Sequence, residues 1–171
     1  MLCGFSLKNP VVEKTKIGNN LYEKQQYDQA LETYRNAQVG DPESPHLHFN
    51  IGTSLLKQKK YEDAIKYLKK AVELDAKFWK AHNLLGIIYD YQGKYDLAVL
   101  EYNSAIDLKP TEGFLYNNLG ISYSMNGEYE KAIQAFNKAL TNNSPNARIY
   151  NNIGLALSML GKYQLAMEAF K

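Results

Sequence analysis

The chain has 171 residues, 45% of them hydrophobic and 22% charged, with a net charge of +2. That balance excludes a disordered chain, no stretch approaches the ~18 apolar residues of a membrane span, and the lone Cys3 excludes an internal disulfide framework or a cysteine-rich zinc site. So small a charge gives no reason to expect a nucleic-acid binder, and the one odd count is 14 tyrosines against a single tryptophan.

In chain order, residues 1–10 read as a tail. Their apolar opening is shorter than the core of a secretory signal, and Leu2-Cys3-Gly4 has only a faint likeness to a lipoprotein processing site. A strict register follows. Gly18, Gly52, Gly86, Gly120 and Gly154 stand 34 residues apart, and so do Tyr27, Tyr61, Tyr95, Tyr129 and Tyr163. Two alanine columns keep the same step, from Ala30 to Ala166 and from Ala37 to Ala139. A fixed period of this length is the signature of a repeat array.

Each period predicts two helices. In the third, His82, Leu85, Gly86 and Tyr89 fall on one face of a 3.6-residue helix. Gly93-Lys94 interrupts it, and Tyr95, Ala98, Tyr102 and Ala105 make a second amphipathic face. Pro110 ends that helix, because proline neither continues a helix nor tolerates one just before it. Pro42 serves the first repeat and Pro145, one place late, the fourth, whereas the second has Ala76 there. The glycine and alanine columns mark where two helices approach closely, so bulk at Gly86 or Ala98 should overpack.

These columns resemble the tetratricopeptide repeat (TPR) family. Tyr116, Leu119-Gly120, Tyr123, Gly127, Tyr129, Ala132, Phe136 and Ala139 together look like a near-consensus copy. The resemblance covers repeats at 11–44, 45–78, 79–112 and 113–146 and a partial fifth at 147–171. It implies an all-α fold, a right-handed superhelical solenoid of antiparallel helix pairs whose first helices line a concave groove. The first repeat departs most, with Lys14 for an aromatic and Gln25 for the turn glycine. The chain stops inside a second helix without a capping helix, as a fragment of a longer protein would. Such an end should expose Ile153 and Leu157 and invite self-association.

No arrangement of residues calls for catalysis, a cofactor or a metal. His48 and His82 share a column with Tyr116 and Tyr150, and read as packed stand-ins for an aromatic. His46 and His48 point different ways on a helix and lack the further ligands zinc needs. Phosphate-loop, nucleophile-elbow and zinc-protease signatures are absent. Glu101 and Asp107 lie where helical repeats carry solvent charge. The lysine-rich run Lys57–Lys80 reads as a solvated face rather than a docking patch, and Asn142-Asn143-Ser144 is a poor glycosylation acceptor with Pro145 after it.

The informative surface is the stripe of each first helix opposite its packing face. It places Asn83, Asn117 and Asn151 in one row and Asn50, Asn118 and Asn152 in the next. Ile87, Ile121 and Leu155 follow, then Tyr91, Met125 and Met159. Asparagine is a mediocre helix former, so its repetition wants a reason. Its amide can both donate to and accept from a peptide backbone, and methionine offers adaptable apolar contact. The family's terminal-carboxylate clamp is matched only at Asn19, Asn50 and Lys80; Thr15 and Leu84 stand where it has cations, which removes charge-assisted grip.

The sequence therefore predicts a non-catalytic scaffold that holds a protein or peptide segment in its groove, without nucleic acid or membrane insertion. Two rivals are a self-associating assembly factor and the targeting arm of a larger enzyme. Localisation is left open between the cytoplasm and, should a native N-terminus precede Met1, a periplasmic or membrane-associated site. Of the tyrosines, all but Tyr22, Tyr67 and Tyr91 fall in repeat columns, so the excess is architectural.

Overall fold

The structure is a computed structural model that describes residues 9–142 and 147–171; Cys3, Asn143, Ser144 and Pro145 lie outside these. The described residues form ten helices and no strand. They are α1 (Pro10–Glu23), α2 (Tyr27–Gln38), α3 (Pro45–Lys57), α4 (Tyr61–Leu74), α5 (Trp79–Tyr91), α6 (Tyr95–Leu108), α7 (Gly113–Met125), α8 (Tyr129–Thr141), α9 (Ala147–Met159) and α10 (Tyr163–Ala169). Two compact units divide them, one ending at Ala76 and one beginning at Lys77.

In the first unit α1 packs on α2, α2 on α3 and α3 on α4. Asn9 caps α1 by accepting from the Val11 amide at 3.0 Å, and proline opens α1 and α3, where a missing N–H costs nothing. In the second unit the chain packs in order from α5 to α10, and α7 also touches both α5 and α9.

One device closes the first helix of every pair. The amide of Lys94 donates back to the Tyr89 carbonyl at 2.9 Å, and those of Gln26, Lys60, Glu128 and Lys162 do the same to Leu21, Leu55, Tyr123 and Leu157. Such a closure needs a left-handed residue just before it. Gly93, Gly127 and Gly161 supply it in the second unit, but Gln25 and Lys59 adopt φ of 61° and 60° in the first. A side chain in that region is strained by about 1–2 kcal/mol. Lys59→Gly is therefore expected to raise the unfolding free energy by about 1 kcal/mol, read as a higher urea midpoint.

The small columns do what close packing requires. Ala30, Ala64, Ala98, Ala132 and Ala166 are all buried, as are Ala37, Ala71, Ala105 and Ala139. Each glycine of the 34-residue column lies under a large side chain of its partner helix. A Cβ on Gly18, Gly86, Gly120 or Gly154 would come within 2.4–2.6 Å of the ring of Tyr34, Tyr102, Phe136 or Phe170, and one on Gly52 within 2.8 Å of Leu68.

The expectation for the last helices needs correction. Ile153 is buried and Leu157 half-buried, because α9 turns both toward its neighbours. The large exposed side chains there are Tyr150, Leu155 and Met159 on α9, Tyr163, Leu165 and Met167 on α10, and Phe170 just after it.

Candidate functional site

The asparagines of the stripe are bonded to one another. Asn118 Nδ2 donates to Asn83 Oδ1 at 3.1 Å, joining α7 to α5. Asn152 Nδ2 donates to Asn117 Oδ1 at 3.4 Å, joining α9 to α7. The second row of one helix thus meets the first row of the helix before it, and the amides form rungs across the seam of first helices. Each rung uses one amide hydrogen and one carbonyl lone pair. An asparagine side chain has two of each, so the face keeps hydrogen-bonding capacity.

Apolar side chains continue the same face. Tyr91, Met125 and Met159 are 68%, 60% and 64% exposed, and Phe114, Ile121 and Leu155 are also exposed. Ile87 is half-buried, and Asn151 is exposed. Charge is sparse on α5, α7 and α9: Lys80 and Arg148 stand at the starts of their helices, and Asp90 is the one carboxylate of the stripe on these three helices.

Asp90 is occupied by its neighbours. Its carboxylate accepts a hydrogen bond from the Tyr102 hydroxyl at 2.8 Å and another from the Ser122 hydroxyl. These two bonds tie α5 to α6 and α7. Burial pushes its pKa above the usual carboxylate range, against the pull of the Ser122 and Tyr102 bonds. Burial, followed by the charge of Asp90, also pushes the Tyr102 phenol up strongly. Ser122 is fully buried.

In the first unit Asn50 Nδ2 donates to Asn19 Oδ1 at 3.3 Å, and the same oxygen accepts from the Tyr34 hydroxyl at 2.8 Å. Asn19, Tyr22, Tyr34, Phe49 and Asn50 line a hollow of about 200 Å³. Burial is the first cause that pushes the Tyr34 phenol up to about 12. Of the clamp residues, Asn19 and Asn50 are thus joined to each other. In the second unit, Lys80 Nζ lies 5.7 Å from the centroid of the Trp79 ring.

The two column histidines behave as packing residues. His48 is buried, with Nε2 3.0 Å from the Pro42 carbonyl, and Tyr116 reaches Pro110 in the same way through its hydroxyl at 3.0 Å. His82 Nδ1 lies 2.7 Å from Glu101 Oε2. Glu101 is therefore engaged inside the repeat rather than carried as a solvent charge. Lys66 and Lys70 pair with Asp63 and Glu73 along the exposed surface of α4, as a solvated helix face does. Among the described residues no group of three or more His, Cys, Asp or Glu side chains converges as a metal site would. None of their helices is long and apolar enough to cross a membrane.

Family models described as tetratricopeptide repeat match residues 15–77 and 50–112, 114–146, and 147–171. The chain belongs to the tetratricopeptide repeat family. Solved TPR-like structures agree with that fold. A crystal structure of MamA is 29% identical, over 90% of each chain, with a TM-score of 0.84. MamA 41-end from Desulfovibrio magneticus RS-1 is 18% identical over 95% of this chain and 92% of that one, with a TM-score of 0.88. PilF of Pseudomonas aeruginosa is 20% identical over 94% of this chain and 73% of that one, with a TM-score of 0.83. The last two bear on the fold alone. No curated protein matches the chain. As a TPR array the chain is a scaffold of the protein-interaction type.

Some features of the TPR seam carry no sequence signal of their own. Ser122 and Asp90 are ordinary residues in each helix, and only their pairing makes them notable. Asn126 Nδ2 donates to Asp96 Oδ1 at 3.1 Å and Gln58 Nε2 to Asp28 Oδ1 at 3.0 Å, a tie between consecutive repeats found in both units.

Proposed function

We propose that the face of α5, α7 and α9 holds an uncharged, extended segment of a partner protein, and that the chain acts as a non-catalytic scaffold. The observation that carries this reading is the rung pattern beside an exposed apolar row. Asn83 with Asn118, and Asn117 with Asn152, hold each other in place while keeping amide groups for a peptide backbone. Ile87, Ile121, Leu155, Tyr91, Met125 and Met159 supply apolar contact for its side chains. Asn151 adds an exposed amide in line with them. The carboxylate of Asp90 is satisfied internally and Lys80 and Arg148 stand only at the helix starts, so the surface beside the rungs offers no free charge to a ligand. Flexible methionine surfaces accept varied partners.

A peptide-display selection against the wild-type chain, followed by affinity measurement of the enriched peptides, tests this. Enriched sequences are expected to be apolar and uncharged. Met125→Lys with Met159→Lys should abolish their binding without changing the melting temperature, because both side chains are exposed. Asn118→Ala with Asn152→Ala should weaken binding about tenfold, the loss of one to two net hydrogen bonds. Peptides that bind all variants equally would refute the groove. Self-association is the second reading, favoured by the exposed Tyr163, Leu165, Met167 and Phe170. A concentration-dependent mass that survives both groove variants would support it instead.

A further inference from the structure

A second surface of the Lys77–Lys171 unit has the form of a binding site and shares no residue with the asparagine stripe. It begins with an absent side chain. Tyr67, Glu101 and Ala135 occupy one column of the repeat, 34 residues apart. The Tyr67 ring lies 5.7 Å from the His48 ring, and Glu101 bonds His82. In both pairs the second helix covers the ring of the first. Ala135 has only a methyl group to offer Tyr116, and a cleft of about 600 Å³ opens between α6, α7 and α8. The hollow beside Tyr67 measures about 280 Å³.

Among the residues lining this cleft are the buried apolar Ile106, Leu119 and Ala135 and the rings of Tyr116 and Tyr123. Its α8 rim is cationic. Lys138 Nζ stands 5.8 Å from the Tyr116 centroid and Lys131 Nζ 5.5 Å from that of Tyr123. Lys131 also pairs with Glu128, an exposed bond that is cheap to exchange. The α6 rim has Asn103 and Asp107, so negative charge in a ligand is drawn to the α8 side and repelled from the other. Lys131 and Lys138 are two helical turns apart, roughly 10 Å.

We propose that this cleft docks an acidic segment of a partner protein, in which one large apolar side chain enters between α6 and α8 and flanking carboxylates meet Lys131 and Lys138. In an extended peptide alternate side chains share a face, so Glu-Ser-Phe-Ser-Glu presents this pattern. The phenylalanine fills the space that Tyr67 fills in its own repeat.

The test is fluorescence anisotropy with that labelled peptide, with Lys-Ser-Phe-Ser-Lys and with Glu-Ser-Ala-Ser-Glu. The acidic phenylalanine peptide is expected to bind saturably and the other two at least tenfold more weakly. Ala135→Tyr, which copies the residue of another repeat, should weaken binding at least tenfold with the melt retained. Lys138→Glu, at an exposed position, should do the same and decides the matter if the tyrosine variant does not fold. Met125→Lys with Met159→Lys should leave this binding unchanged, so failure here and failure of the groove are read separately. Binding that tolerates Lys138→Glu, that prefers the lysine peptide, or that is absent from the wild type would overturn the proposal.

Discussion

Replacing Gly86 with valine is expected to lower the unfolding free energy by about 3 kcal/mol, the upper part of the range for overpacking. The magnitude follows from the ring above it. A Cβ at Gly86 would stand 2.6 Å from Tyr102 Cε1, 2.8 Å from Cζ and 2.9 Å from Cδ1. Tyr102 is almost fully buried, and its hydroxyl is held by Asp90 at 2.8 Å, so the ring has no direction in which to retreat. Gly93 is the control. Nothing lies within 4 Å of a Cβ there, but its φ is +69°. Gly93→Ala thus carries the backbone strain alone, about 1 kcal/mol. Urea unfolding of both variants checks the order. A Gly93 variant that loses more than the Gly86 variant would mean that turn geometry, not helix contact, sets the period.

The same contrast explains how far the sequence could be read. The glycine column is legible because one contact repeated at one interval imposes it: a small residue must lie under Tyr34, Leu68, Tyr102, Phe136 or Phe170 every time, and the alanine columns because each of their positions is buried. The asparagines were legible as rows but not as rungs. Reading down columns compares residues 34 apart, whereas Asn83 bonds Asn118 and Asn117 bonds Asn152, each 35 apart. The bond therefore runs between two neighbouring columns rather than along one. Lys59 gave no sign of its left-handed backbone, since lysine has no preference that announces one. Glu101 reads as a solvent charge in the sequence, whereas in the fold His82, nineteen residues earlier, lies against it. Ala135 is the extreme case. Its consequence is a space, and an alanine in a helix is the least conspicuous residue there is.

The other large effect is expected at Asp90. Asp90→Ala removes the acceptor for two buried hydroxyls, those of Tyr102 and Ser122, and leaves each without a partner. A stranded buried donor costs about 1–3 kcal/mol. Part of this is returned, because a half-buried carboxylate no longer has to be held out of water, so the expected net loss is about 2 kcal/mol. Asp90→Asn keeps an acceptor for Tyr102, and the Ser122 hydroxyl is free to turn and accept from the new amide. Its loss should stay below about 1 kcal/mol at neutral pH, by the small net worth of one neutral hydrogen bond.

The sign of the pH dependence separates the two roles of Asp90. Burial raises its folded pKa above the ordinary 3.8, so between those two values the folded chain binds more protons than the unfolded one. Stability from this group is then fully present below the ordinary value and is lost as pH rises through the folded one. The asparagine variant lacks that titration. Wild type should therefore lose stability relative to Asp90→Asn as pH is raised from about 3.8 toward neutrality, and the gap should level off above the folded value. Urea midpoints for the wild type and both variants, taken across that range, measure it. A gap that stays flat with pH would assign Asp90 to the seam as a hydrogen-bond acceptor alone. A gap that widens in the opposite direction would mean that the Tyr102 and Ser122 bonds outweigh burial, and that the carboxylate is held charged between α5 and α7.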